Sequence, residues 1–186
     1  MRYPPSHKTE RRARIVDAAS RLFRKNGFAA TSVGDVMKRA QLTHGGFYGY
    51  FQDKLELFDE ALVAAFAQAR ENLFARGLEG LRGDEWLRAA ADRYATLTHR
   101  DHPDRGCAVP SLAGEVSRSP RPIRRRFSKE VAGMIEAIAE RLEGEGEATE
   151  RRAARVLSTW VGAMLIARAV DDRGLAERIL EAAREA

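Results

Sequence analysis

The chain has one cysteine among 186 residues, six prolines, and no uninterrupted apolar run longer than eight residues. Each scarcity removes a class of protein. A single thiol cannot close an internal disulfide, so the fold is not a stapled extracellular scaffold. The longest apolar run, Trp160 to Ala167, falls far short of the ~20 residues that a membrane-spanning helix needs. Met1 to Ile15 holds no apolar stretch of the kind found in a secretory signal. A cytoplasmic protein without a membrane partner is therefore expected. Aromatic residues make up only 8% of the chain, but apolar residues as a whole reach 44%, enough for a buried core despite 32% charged residues. The length admits one large domain or two small ones.

Charge is unevenly placed. Met1 to Lys54 holds 11 basic residues against 4 acidic ones, whereas the remainder holds 21 against 23. A basic excess gathered into one segment is the electrostatic footprint of a phosphate-binding surface. A solvated helix face is the plainer alternative.

Apolar spacing is helical throughout, with no strand alternation and no repeat. From Thr9, Ile15, Ala18, Ala19, Leu22 and Phe23 share one face, and Gly27 is placed to stop that helix. Ser32 and Asp35 form a capping box for a short helix with Val33, Val36, Met37 and Ala40 inward. Gln41-Leu42 makes a tight connection, and Thr43 is placed to cap a very short helix from His44 to about Tyr50. Asp53 and Glu56 form a second box, opening a long helix to about Arg76. A glycine-rich connector, Gly77 to Asp84, leads to a helix over Glu85 to Thr98, and a polar loop covers His99 to Gly106. Three further helices are expected at Cys107 to Ser117, from Pro122 to Leu142, and from a Thr149 cap to Val170. A last one follows Gly174 and ends near Arg184.

Long helix, short helix, tight turn, very short helix and capped long helix make a helix-turn-helix plan. Gly27-Phe28-Ala29-Ala30-Thr31-Ser32-Val33, Ala40-Gln41-Leu42-Thr43 and Phe47-Tyr48-Gly49-Tyr50-Phe51-Gln52-Asp53-Lys54 resemble the TetR family of transcription regulators over about residues 9 to 60. The resemblance implies an all-α protein with a three-helix DNA-binding domain at 1–53 and a helical domain for effector binding and dimerisation at 54–186. It also implies a sequence-specific regulator, expected to be a repressor released from its operator by a small-molecule or thiol-reactive effector.

Carried over residue by residue, the resemblance puts Ser32, Thr43, His44, Gly45, Gly46, Tyr48, Tyr50 and Lys54 at double-stranded DNA. Tyr48 and Tyr50 are expected to donate to phosphate, Lys54 to add a charge contact, and His44 to read base edges. Phe47 and Phe51, four apart, are better core candidates, which leaves Tyr48 facing outward. Two features depart from the family pattern. Gln41 stands where the turn usually has glycine, so a left-handed backbone there is strained. Gly45, Gly46 and Gly49 remove reading side chains, which favours close backbone approach and shape readout, or else marks a frayed helix.

A single head of this kind implies a homodimer on a near-palindromic operator. Leu157, Trp160, Val161, Met164, Leu175 and Ile179 are the expected interface, with intramolecular packing as the alternative. Phe66, Trp86, Tyr94, Leu97, Leu112, Phe127, Val131 and Met134 are candidate lining of a pocket for an unknown small-molecule effector. Cys107, after Arg105-Gly106 at a helix start, is a candidate thiolate sensor or an inert buried residue. His99, His102, Asp101, Asp104 and Cys107 do not have a fixed metal-ligand spacing and Pro103 interrupts them, so no metal is expected. No nucleophile elbow, phosphate cradle or paired carboxylates occur, so neither a cofactor nor an enzyme is expected. A thiol-dependent enzyme using Cys107 and a small-molecule carrier remain the alternatives.

Overall fold

A computed structural model describes residues 5–185, within which the regular elements are helical. Arg2, counted in the basic segment, lies outside the described residues. Helix α1 spans Pro5–Asn26, α2 spans Val33–Arg39, and a 3-10 turn covers His44–Gly49. Helix α3, Lys54–Ala69, continues as a π-helical turn over Arg70–Ala75. Then come α4 (Gly83–Tyr94), α5 (Leu97–Asp101), a 3-10 turn at Pro103–Arg105, α6 (Ala108–Val116), α7 (Arg121–Ala139), α8 (Gly146–Ala169) and α9 (Arg173–Arg184).

The expected amphipathic stripe of α1 is realised, with Ile15, Ala18, Ala19 and Phe23 buried. Phe23 meets Phe58 of α3 edge to face at 5.2 Å, and Phe28 lies 4.6 Å from the same ring. These aromatic contacts fasten α1 along α3, so α3 belongs structurally to both halves of the chain. A second aromatic group stacks Phe74, Tyr94 and Trp160, with Trp86 alongside. Both indoles are satisfied: Trp86 donates to the Phe74 carbonyl and Trp160 to the Ala183 carbonyl, each at 3.1 Å. Burying an indole demands such a partner.

Several element ends differ from the expectation. Helix α1 starts earlier than Thr9, because the charged, proline-led run before it carries no apolar marker by which a start can be read. Glu85 to Thr98 is not one helix; it breaks at Ala95 and Thr96, and the Thr96 hydroxyl accepts from the His99 amide to start α5. His99 is thus helical and buried, not part of a polar loop. Thr43 makes no side-chain cap. Thr149 lies inside α8, which Glu145 precedes, and Gly174 lies inside α9, which Asp172 caps through the Leu175 amide. At Asp53 the box is shared out: Asp53 takes the Glu56 amide, while Glu56 takes the amide of Gln52.

The tight connection after α2 behaves as its sequence implied. Gln41 holds φ +57°, the one non-glycine left-handed residue among the described residues. A left-handed L-residue costs about 1 kcal/mol or more. Gln41→Gly is therefore expected to stabilise the protein by roughly 0.5–1 kcal/mol, read as a higher urea midpoint at an unchanged slope.

Candidate nucleic-acid interface and the seam behind it

The HTH head is built by caps. Ser32 accepts from the Asp35 amide at 3.0 Å, and Asp35 accepts from the Ser32 amide and hydroxyl, which fixes the start of α2. Those hydrogen bonds hold Asp35 below the usual carboxylate range. Within the 3-10 turn, Phe47 is fully buried and stacks on the buried Phe51 at 5.6 Å. Tyr48 is 71% exposed, standing edge-on to Phe47. Thr43, His44, Gly45 and Gly49 are exposed, and Gly46 and Tyr50 are half-buried. A Cβ on Gly45 or Gly49 would meet nothing, so the outer face is bare backbone flanked by Tyr48. His44 lies alongside Gly34 of α2.

The basic residues of the head divide into two sets. Arg12 pairs with Glu60 and reaches the Tyr50 carbonyl and the Phe51 ring. Arg14 donates to the Ala40 carbonyl, and Arg21 pairs with Asp17. Lys54 donates to the Phe28 carbonyl and sits 4.2 Å over the Phe28 ring, where burial lowers its pKa. Its ammonium thus braces the turn after α1 instead of projecting freely from α3. Lys8, Lys25, Lys38 and Arg39 are exposed.

Behind the head runs a seam with the second half. Arg24 is 3% exposed and donates to the Ser20 carbonyl and hydroxyl, to Gln68 of α3, and at 2.7 Å to the Gly106 carbonyl. Burial, aided by Arg21, lowers its pKa to about 10. From the other side Glu115 of α6 accepts the Phe28 and Ala29 amides at 2.7 and 3.1 Å. That approach requires glycine at 27, whose φ is +86° and whose Cβ would lie 2.9 Å from the carboxylate.

Next to Gly106, the His99 ring is fully engaged. Its Nδ1 bonds the Tyr94 carbonyl at 2.7 Å, and its Nε2 accepts the Cys107 amide at 3.0 Å. With both nitrogens committed and the ring neutral, no lone pair is left for a metal. A Cβ on Gly106 would lie 2.2 Å from this ring. Arg168 of α8 closes the group through Ser111 and the His99 and Arg100 carbonyls. Cys107 is completely buried, and burial raises its pKa, against the expectation that a helix start and Arg105 would favour thiolate. Desolvation outweighs the Val109 amide and the cations Arg168 and Arg24, which pull the other way.

The expected pocket and interface residues also shift role. Phe66, Trp86, Tyr94, Leu112 and Met134 are closely buried core, while Leu97, Phe127 and Val131 pack partly buried against it. A hollow of about 190 Å³ opens nearby between Leu73, Arg93, Thr96, Thr98, His99, His102, Arg105 and Gly106. Leu157, Trp160 and Met164 are spent on the chain's own core: all three are buried within the protomer, Trp160 stacking on Phe74 and Tyr94 and donating to Ala183 of α9. Leu165, Ile166 and Leu175 are the exposed apolar residues of α8 and α9, with Val161 and Ile179 half-buried beside them. Sequence periodicity locates an apolar stripe but not which of two stripes meets solvent.

A capped helix-turn-helix head joined through α3 to an all-helical second half is the plan of a DNA-binding transcriptional regulator. A model for bacterial regulatory proteins of the tetR family matches residues 15–61, and one for a tetracyclin repressor-like C-terminal domain matches residues 83–183. The chain belongs to the tetR family. It is 45% identical over 51 residues to the HTH-type transcriptional regulator AcrR of Shigella flexneri, covering 27% of this chain and 24% of that protein. To the HTH-type transcriptional regulator UidR of Escherichia coli K12 it is 29% identical over 132 residues, covering 70% of this chain and 64% of UidR. The match thus spans about a quarter of the first relative and somewhat under two thirds of the second. The fold is shared with a TetR-family transcriptional regulator from Cytophaga hutchinsonii at a TM-score of 0.80, with 19% identity over 98% of this chain and 96% of that one. Binding of DNA operators, dimerisation and response to ligands are typical of the family. No helix among the described residues is long and apolar enough to cross a membrane.

His99 gives the seam a pH dependence. Burial lowers its pKa to about 4 from an ordinary 6.5. Between those values the unfolded chain takes up a proton that the folded ring refuses. The stability contributed by the neutral ring is complete above about pH 6.5 and falls by about 3 kcal/mol as pH drops toward 4. His99→Phe is expected to flatten that fall while lowering stability at pH 7, both measured by urea unfolding across the range.

Proposed function

We propose that the protein is a homodimeric, cytoplasmic repressor that binds a near-palindromic operator and is released from it by a small-molecule effector. Residues up to Asp53 form the reading head, and those from Lys54 form the effector and dimer half. The observation that carries the reading is the exposed Tyr48 beside the bare Gly45 and Gly49 backbone, mounted on a buried Phe47–Phe51 pair. Such a turn lets the DNA backbone come close, with Tyr48, Tyr50 and Thr43 donating to phosphate and His44 at base edges. Ser32 acts by holding α2 in place, and Lys54 by bracing the turn.

The seam supplies a route for release. An effector entering the hollow beside His99 and Gly106 meets the residues that hold Arg24 and, through α6, Glu115. Favouring a different placement of α6 would turn the two heads out of register with the operator. A thiol-reactive effector is the second reading, favoured by one observation: the Cys107 amide is itself part of the His99 bridge. The Cys107 thiol is completely buried, so reagents should act slowly on the folded protein.

Fluorescence anisotropy against a duplex selected by the protein from a random pool tests the DNA reading. Binding is expected to survive excess competitor and to weaken steeply with salt. Tyr48→Phe should weaken it by about tenfold or more for each protomer, the value of one hydrogen bond to a charged acceptor, and by about a hundredfold or more for the dimer. Absence of binding at low salt would overturn the assignment. The dimer is expected to form through the exposed α8–α9 face, so Leu165→Glu combined with Ile166→Glu should sediment as a folded monomer and lose operator affinity.

A further inference from the structure

A second basic block lies in the half of the chain that carries no net positive charge. The part of the chain after Lys54 is slightly acidic as a whole, yet Arg118 to Lys129 holds six cations, Arg118, Arg121, Arg124, Arg125, Arg126 and Lys129, and no acid. Arg126 is paired with Asp59 of α3. The other five have no ion-pair partner within 4 Å among the described residues, and all five are exposed. The acids that border the block are already engaged: Glu115 by the Phe28 and Ala29 amides, and Glu130 by Arg70.

Landmarks of the reading head place the block. On one side, Glu115, three residues before Arg118, touches the turn between α1 and α2. On the other, Arg121, Arg125, Arg126 and Lys129 share a hollow of about 610 Å³ with Asp53, Leu55, Glu56 and Asp59, the first two turns of α3 and its cap. The acids on that wall are occupied too. Asp53 caps α3, Glu56 takes the Gln52 amide and lies near Arg12, and Asp59 holds Arg126. Arg121, Arg125 and Lys129 therefore face the hollow without a carboxylate of their own. This contrasts with the head, where Arg12, Arg14, Arg21, Arg24 and Lys54 are committed to internal bonds.

We propose that the start of α7 is a second phosphate-contacting surface, in which Arg121 and Arg125, supported by Arg118 and Arg124, neutralise operator backbone outside the reach of the recognition turn. The inference rests on the DNA-binding reading above and adds to it. Such contacts carry no sequence information; they supply affinity and salt dependence. None of these four side chains makes a hydrogen bond to another described residue, so their replacement is structurally mild.

The test compares the wild type, Arg121→Gln/Arg125→Gln and a control of equal charge change, Arg82→Gln/Arg88→Gln on and before α4, on the selected duplex across a salt series. The α7 pair removes four phosphate contacts from the dimer, two in each protomer, and is expected to lower the slope of log affinity against log salt by about 3.6, roughly 0.9 for each phosphate no longer neutralised. Preference for the selected duplex over a scrambled one should stay within twofold of wild type, and the control slope should not change. An unchanged slope for the α7 pair, or an equal decrease in the control, overturns the proposal while leaving the recognition turn's role intact. If the wild type binds no duplex, the DNA-binding reading falls and this surface with it. Thermal melting of each variant, expected within a few degrees of wild type, separates a binding defect from a folding defect.

Discussion

One buried guanidinium ties the protein together. Arg24 reaches three separate pieces of chain: its own helix at Ser20, α3 at Gln68, and the loop before α6 at Gly106. An arginine taken out of water is tolerable only when its donors are matched, and removing one partner of such a set costs several kcal/mol. The consequence is positional. With Gly106 fixed by its carbonyl, the Cys107 amide is aimed at His99, and the ring of His99 is aimed at Tyr94. The start of α6, and so the placement of Glu115 at its far end, follows from the same bond.

Much of the head is legible in the sequence because its signals are local. Capping at Ser32, the stop at Gly27, the strained turn at Gln41 and the inward Phe47–Phe51 pair all depend on residues within a few positions of one another. Three-dimensional commitments are not legible. Nothing in the spacing of Arg12, Arg14, Arg24 and Lys54 tells that their charges end on carbonyls and carboxylates of other elements. The same limit explains the second half. Leu157, Trp160 and Met164 lie on a stripe that the chain's own core takes up, and Leu165 and Ile166 lie on one that it leaves exposed. The sequence neighbours of Cys107 favour thiolate, but its titration is governed by burial.

His99 shows how a polar residue can be read both ways. In sequence it sits in a charged run, His99-Arg100-Asp101-His102, which suggests solvent. In the fold, Thr96 starts a short helix that turns the imidazole inward, where it accepts from the buried Cys107 amide and donates to the Tyr94 carbonyl, which also takes the Thr96 amide. The ring serves as a neutral spacer between α4 and α6, and at position 106 only glycine leaves room for it.

Glu115 reaches the head through backbone amides and not through side chains. The grip asks for a glycine at 27 and the same turn behind it; it uses no side chain of residues 28 and 29 and none of the 3-10 turn at His44–Gly49. Under the proposed function, DNA preference can therefore drift by substitution in that turn without disturbing the bonds by which α6 holds the head. A fold built this way lets the outer face of the head and its attachment to the second half evolve on separate schedules.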